Sequence, residues 1–462
     1  MPHPQDRPPD FEKQLTTLYM QNEHDPGPLD LRINIATIEI LDCSNFEEIM
    51  TRRELQDYTA SVQTMYKRKD KKILPANVPL PNGINPGGGV NGGVSNGIND
   101  ESDLESSTLW IGKVVPRGSR LTPERLASMK IGIGFLSEAE KQLFIDILFE
   151  YEGAVAFGDS EMGLLNPEIE PPVIVHTVPH SPWQQQNLRL PKSMQEAATA
   201  IVKEKLENGT LEFSQGPYRS RYFLVEKKQR TWRFINDIQQ LNKVTIRDSG
   251  MPPSVDEFSE DFAGYPITSA IDYYSGYYQV PLDKESRDLT AFVTELGLVR
   301  MTRLPQGWTN SVACFQRVMG KVHWRQIPRH VRPFLDDCGI KGPKDRYGDV
   351  EISPGVRLFV YEHAQIFQRF MKDCWSAGLT ISGAKSSIGM SGIDIVGFLC
   401  DFDGRRPEDK KVQKIVDWPT PQSVRDTRGF VGLVVYYRIF IIGFAIIAAP
   451  LFELFRKNAR FT

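Results

Sequence analysis

Residues Pro333-Phe334-Leu335-Asp336-Asp337-Cys338-Gly339-Ile340 set two adjacent carboxylates between apolar residues, and no other stretch restricts the fold as tightly. The pattern predicts strand, tight turn, strand. An ionised carboxylate held away from water without a partner costs several kcal/mol, so two side by side in a half-buried hairpin call for positive charge. A hydrated divalent cation is the natural partner for such oxygen ligands. A solvated turn can carry the same two aspartates, so the rest of the chain has to decide.

Length of 462 residues predicts two to four domains. The net charge of −3 is unevenly spread. Residues 1–200 hold 18 Lys and Arg against 28 Asp and Glu, a net of −10, while residues 201–462 hold 37 against 30, a net of +7. A basic C-terminal half suits a polyanion-binding body. The five cysteines (Cys43, Cys314, Cys338, Cys374, Cys400) are scattered and form no CxxC pair, which argues against a disulfide framework or a zinc site. The N-terminus shows no apolar signal core, so an intracellular, cytoplasmic location is expected. The apolar run from Ile439 to Phe455 contains Pro450 and Glu453 and is short of the ~20 residues needed to span a bilayer, so it predicts a packed helix and no membrane partner.

Residues 1–75 form a leader without clear periodicity, although Met65 to Lys72 is basic. Residues 76–107 are rich in Gly, Pro and Asn and predict a flexible linker; their glycines lack the Gly-Lys-Ser/Thr ending of a phosphate loop. Residues 108–190 read as a helical and irregular stretch. Within it, Ser137-Glu138-Ala139-Glu140 is a capping box, and Ser193-Met194-Gln195-Glu196 is a second one farther on. Asn208-Gly209 should close the second helix. Tyr222 to Ile235 reads as a β-hairpin whose tip presents Lys227, Lys228, Arg230 and Arg233, a set suited to a triphosphate. Pro266 to Asp272 reads as a buried strand ending in a carboxylate, followed by the turn Ser275-Gly276. Helices are predicted from Asn310 to Val318 and from about Tyr361 to Ala377, the latter with an aromatic core stripe and Gly378 as its stop.

Taken in order, these pieces resemble the reverse transcriptase of gypsy-type LTR retrotransposons, from about Pro191 to the C-terminus. The matching stretches are Trp232-Arg233-Phe234 with Asp237, Leu241-Asn242, Ile271-Asp272 with Ser275-Gly276-Tyr277, Leu304-Pro305-Gln306-Gly307-Trp308-Thr309-Asn310 and Phe334-Leu335-Asp336-Asp337. Gly378-Leu379-Thr380 with Lys385, Gly397-Phe398-Leu399, Trp418-Pro419-Thr420-Pro421 and Tyr436-Tyr437-Arg438 follow. The resemblance implies an α+β right-hand polymerase fold: fingers and palm over 191–402, a helical thumb over 403–462, and a flexible N-terminal leader. It implies an RNA-directed DNA polymerase that adds dNTPs to a primer 3′-hydroxyl on an RNA or DNA template, with Mg²⁺ as the cofactor and Mn²⁺ as the alternative.

The resemblance also assigns residues. Asp272, Asp336 and Asp337 become the catalytic metal ligands. Lys227, Arg233, Tyr277, Gln306, Gly307 and Lys385 become nucleotide-binding residues, Tyr277 as the ring that excludes a ribose 2′-hydroxyl. Arg405, Arg406, Lys410, Lys411 and Lys414 become phosphate contacts of the thumb. The chain departs from the family pattern at Phe334, where Tyr is usual, at Gln239, where Arg is common, and at Ser386, where Cys is common. The two last departures are expected to leave the metal chemistry untouched. Asp248-Ser249-Gly250 lies within the fingers and is not read as a protease site. The chain reads as a polymerase segment ending before an RNase H domain. The competing readings are a catalytically silent remnant that binds nucleic acid and, opposed by Tyr277, a viral RNA-dependent RNA polymerase.

Overall fold

The computed structural model describes residues 117–226, 232–456, 459 and 461. The leader, the linker and the hairpin tip with Lys227, Lys228 and Arg230 lie outside the described residues. The described residues divide into two compact units after Arg405.

After a short helix over Pro123–Ser128, the larger unit continues with β1 (Lys130–Ile131) and α1 (Glu138–Glu150). α1 begins at the predicted capping box. The Ser137 hydroxyl accepts from the Glu140 amide at 3.1 Å, and the Glu140 carboxylate accepts from the Ser137 amide at 2.9 Å. α2 (Lys192–Glu207) departs from expectation: Pro191 takes the entry position with φ −54 and ψ 147, and no side chain caps the helix. The proline fixes the entry dihedral, so Ser193 already lies inside the first turn and cannot act as the cap. The far end is as predicted, with Asn208 as cap and Gly209 at φ +72.

The fingers follow as β2 (Leu211–Phe213) and the hairpin of β3 (Arg221–Glu226) and β4 (Trp232–Asp237), in which Glu226 faces Trp232. After β5 (Thr268–Asp272), a strand of the palm, β6 (Phe292–Thr294) and β7 (Gly297–Met301) return to form a sheet of order β2-β7-β6. Ala198 and Val202 of α2 close on Leu211, Tyr222, Phe292 and Met301, which gives the fingers a small core of their own.

The palm adds α3 (Ser311–Val322), β8 (Val331–Phe334), β9 (Asp337–Lys341), α4 (Leu358–Ser376) and β10 (Ser387–Met390). Its sheet has the order β1-β10-β5-β9-β8. All neighbours are antiparallel except β1, which lies parallel to β10 with Lys130 opposite Ser387. α4 backs the sheet with Phe359, His363, Phe367, Phe370 and Cys374, all buried at three- to four-residue spacing. Residues 117–190 are not a separate layer. Phe144 of α1 meets Phe367 of α4 at 5.8 Å, and Leu121, Ile131 and Leu148 share one core with Phe315, Phe370 and Ile388.

Glycine is required for space at Gly339 of β9, where a Cβ would lie 2.1 Å from the Phe262 ring. Gly339→Ala is expected to destabilise the unit by about 1–3 kcal/mol through overpacking. A urea midpoint unchanged by the substitution would show that the ring can yield.

The smaller unit contains α5 (Asp409–Val416), α6 (Val424–Val434) and α7 (Phe444–Glu453). Ser423 caps α6, its hydroxyl accepting from the Asp426 amide at 3.2 Å, and Trp418 packs on Phe430 at 6.2 Å. Among the described residues, no helix is long and apolar enough to cross a membrane.

Candidate active site

The register of the palm sheet brings the sequence-distant aspartates together. Asp272 ends β5 and Asp337 begins β9, and the two face each other across the strands. Asp337 also faces Phe334 across the β8–β9 hairpin, leaving Leu335 and Asp336 as a two-residue turn. Leu335 adopts φ +57, a conformation that costs a non-glycine residue energy unless its surroundings enforce it. Gln316 of α3 does so: its carbonyl accepts from the Leu335 amide at 3.2 Å, and its amide donates to the Pro333 carbonyl at 2.9 Å. The Tyr273 amide donates to the Asp336 carbonyl at 3.3 Å, which ties the turn to the end of β5. Phe334 is buried and stacks on Phe258 at 4.8 Å, so the position that usually carries a tyrosine is filled by apolar packing.

Three carboxylates at one sheet end repel one another. Burial, then the charges of Asp336 and Asp272, push the Asp337 carboxyl up to about 6, with Lys385 opposing. Burial also raises Asp272, and Asp336 adds to this, while Lys385 pulls the other way. The Lys385 ammonium lies 3.2 and 3.4 Å from the two Asp272 carboxylate oxygens. A cleft of about 300 Å³ opens beside this pair, lined by Lys130, Asp272, Asp337, Lys385 and Asp394 among others.

The donor chemistry fits a hard divalent cation. The side chains offer only carboxylate oxygens, Asp272 and Asp337 hold their protons more tightly than usual, and an ammonium already stands in as counterion on Asp272. The ligands are not yet gathered: among the described residues, no group of three or more His, Cys, Asp or Glu side chains is close enough to hold a metal.

The family model for reverse transcriptase (RNA-dependent DNA polymerase) matches residues 225–400, a span that contains all three aspartates. Residues 225–400 belong to the reverse transcriptase family. Curated relatives of this reverse transcriptase domain are Pol polyproteins of Drosophila melanogaster transposons. The one from transposon 412 is 29% identical over 286 residues, 61% of this chain and 22% of the relative. The one from transposon gypsy is 28% identical over 261 residues, 55% of this chain and 24% of the relative. The chain therefore spans about a quarter of the length of these relatives. Among solved structures, the foamy viral protease-reverse transcriptase in complex with dsDNA matches with a TM-score of 0.63 at 21% identity, covering 76% of this chain and 70% of that one. The same viral protein in complex with an RNA/DNA hybrid matches with a TM-score of 0.62 at 21% identity, covering 76% and 44%. The right-hand polymerase fold is thus shared with these structures.

The other residues singled out in the sequence fall at several places in the reverse transcriptase domain and beyond it. Arg233 is exposed on β4 opposite Val225, and Lys227 lies outside the described residues. Tyr277 is half-buried against Phe315 at 5.3 Å, and burial followed by the charge of Asp336 pushes its hydroxyl up to about 12. Gln306 and Gly307 are exposed on a loop in which Gly307 takes φ +88. Asn242 holds that loop, donating to the Gly307 carbonyl and accepting from the Thr309 amide, each at 2.9 Å. Arg406, Lys410 and Lys414 are exposed, while Lys411 lies 3.5 Å from Glu408.

Arg405 does not belong with that set. Its guanidinium donates to the Asp256 carbonyl at 2.8 Å and the Ser259 hydroxyl at 2.7 Å, so it fastens the palm and is not an open phosphate contact. Ser386 also needs correction, because its hydroxyl accepts from the Asp272 amide at 3.2 Å and so helps to place that aspartate. Gln316 was missed altogether. The available signal was a polar residue set between the apolar positions Phe315 and Val318 of a core helix, which asks for a buried partner.

Gln316→Leu would leave the Leu335 amide and the Pro333 carbonyl unpaired, at a cost of about 1–3 kcal/mol. The expected result is a lower unfolding temperature and a roughly tenfold fall in kcat, with KM for nucleotide little changed. A variant with wild-type kcat would show that the turn holds its shape unaided.

Proposed function

We propose that this domain is an RNA-directed DNA polymerase, adding dNTPs to a primer 3′-hydroxyl on an RNA or DNA template. The observation that carries the reading is the convergence of Asp272, Asp336 and Asp337 at one end of two adjoining strands and their turn, with Lys385 on Asp272. Asp272, Asp336 and Asp337 would hold Mg²⁺, with Mn²⁺ as the alternative. When bound there, such ions supply activation of an attacking oxygen and neutralisation of a leaving phosphate.

The remaining roles fall to side chains. Arg233, with Lys227 from the hairpin tip, holds the triphosphate, for which a guanidinium gives paired hydrogen bonds and an ammonium a point charge. Tyr277 limits the space for a ribose 2′-hydroxyl. The Gln306–Gly307 loop, braced by Asn242, supports the templating pair. Lys385 exchanges Asp272 for the incoming phosphates as the cleft fills. Arg406, Lys410 and Lys414 bind backbone phosphates. A Lys410→Gln, Lys414→Gln double variant should flatten the dependence of log affinity on log salt by about two units for duplex. An unchanged slope would remove these residues from the interface.

Extension of a DNA primer on an RNA template decides the matter. Incorporation of dNTPs with Mg²⁺ or Mn²⁺ is expected, and none under either ion would overturn the proposal. Preference for rNTPs would instead overturn the role of Tyr277.

A further inference from the structure

The connection from α3 to β8 lies at the opposite end of β8 from the Leu335–Asp336 turn. It carries Trp324, Arg325 and Arg329, and the neighbouring α4 carries Arg369 and Lys372 one turn apart. We propose that these five residues form a second nucleic-acid site, one that takes single strands, separate from the aspartate cleft.

Exposure and rigidity are the first support. Trp324 is 63% exposed, and the Arg325 guanidinium lies 5.2 Å from the centre of its ring. Arg325, Arg329, Arg369 and Lys372 are all exposed. The connection that presents them is pinned: the Asp373 carboxylate of α4 accepts from the Gln326 amide at 2.6 Å and lies 3.3 Å from Nδ1 of the buried His323. The backbone adds turns of its own, with the Gln326 carbonyl accepting from the amides of His330 and Val331 at 2.8 and 3.1 Å.

Uncompensated charge is the second. Asp373, the acid within this group, is engaged in holding the connection and is not paired with the four cations. Among the described residues, none of the four forms a salt bridge. They also act on one another. Burial and then the charges of Arg329, Arg369 and Lys341 push His330 down to about 4, and its Nδ1 is buried without a hydrogen-bond partner. Partial burial, then the charge of Arg329, likewise pull Arg369 below its usual range, against Asp373. Surfaces that gather cations in this way store repulsion that an arriving polyanion relieves.

The mixture of groups selects the polyanion. Guanidiniums bind phosphates through paired hydrogen bonds, and an open indole face stacks on an unpaired base for about 1–3 kcal/mol. A duplex hides its base faces, and an acidic peptide offers none to stack. The four residues of β8, Val331–Phe334, separate the surface from the catalytic turn by roughly 13 Å. A strand could therefore be held here while its paired portion occupies the cleft, which raises effective concentration without adding contacts at the reacting atoms.

The test uses the full chain and a labelled 20-nucleotide oligothymidylate, followed by anisotropy and by tryptophan fluorescence. Wild type should bind with quenching of indole emission. An Arg325→Ala, Arg329→Ala, Arg369→Ala variant should lose about tenfold in affinity, with its salt slope flatter by about two units for three lost single-strand phosphate contacts. Trp324→Ala should lose most of the quenching and Trp324→Phe should restore much of the affinity. All four substituted residues are exposed, so circular dichroism and unfolding temperature should match wild type. Extension of a fully paired short primer–template should be the same in wild type and triple variant, which separates this site from the polymerase reading. Unchanged affinity and slope in the triple variant would overturn the proposal. So would displacement of the oligonucleotide by polyglutamate as readily as by unlabelled oligothymidylate.

Discussion

Replacing Asp336 by Asn is expected to lower dNTP incorporation on a primed RNA template by a factor of about a thousand or more. Metal-assisted stabilisation of developing charge contributes several kcal/mol, and each ~1.4 kcal/mol is a factor of ten in rate. Asp336 is exposed at the turn and carries none of the sheet hydrogen bonds through its side chain, so the variant should fold as wild type does. Its unfolding temperature without metal should therefore be unchanged or slightly higher. Asp272→Asn should lose activity to a similar extent, but it would also release Lys385. Incorporation by Asp336→Asn within a few-fold of wild type would remove this residue from the metal set and would favour another carboxylate, with Asp394 of the same cleft the first to examine.

Asp337→Asn is expected to stabilise the protein while abolishing its activity. In the folded state the Asp337 carboxyl is pushed up to about 6 from an ordinary value of 3.8. A raised folded value means that the native state binds the proton more tightly than the unfolded chain does. Its stabilising contribution is therefore complete below pH 3.8 and is lost as pH rises through about 6. At pH 7 the ionised group costs of the order of 2 kcal/mol, which the asparagine avoids. The variant should match wild type near pH 4 and unfold at a higher temperature at pH 7. Added Mg²⁺ should raise the wild-type unfolding temperature at pH 7 and raise that of the variant much less, because the ion relieves repulsion the variant lacks. A pH profile identical in both proteins would show that Asp337 is not under this strain.

Much of the palm was legible because its chemistry is local and unusual. Two carboxylates between apolar strand residues admit few structures, and the register that pairs Asp337 with Asp272 needs only the two strands. The capping box at Ser137 was legible for the same reason, since the cap and its partner are three residues apart. The box at Ser193 failed because Pro191 started the helix first. Arg405 could not be told from its basic neighbours, since its partners Asp256 and Ser259 lie about 150 residues away in sequence, with separations of 149 and 146. Gln316 and Ser386 were hidden likewise, because their value lies in backbone groups that come to them only in the folded palm.

The parallel pairing of β1 with β10 sets an order of events during synthesis. Lys130 emerges from the ribosome 257 residues before Ser387, its partner in the sheet. At about 5–20 residues per second, that interval is roughly 10–50 s. Phe144 waits for Phe367 over a similar span. Helix α1 can form early on its own cap, but Phe367, the ring that Phe144 packs on, is made 223 residues later. The newly made segment around α1 is thus expected to lean on chaperones that shield apolar helices, and slowing translation just before residue 387 should lengthen that dependence.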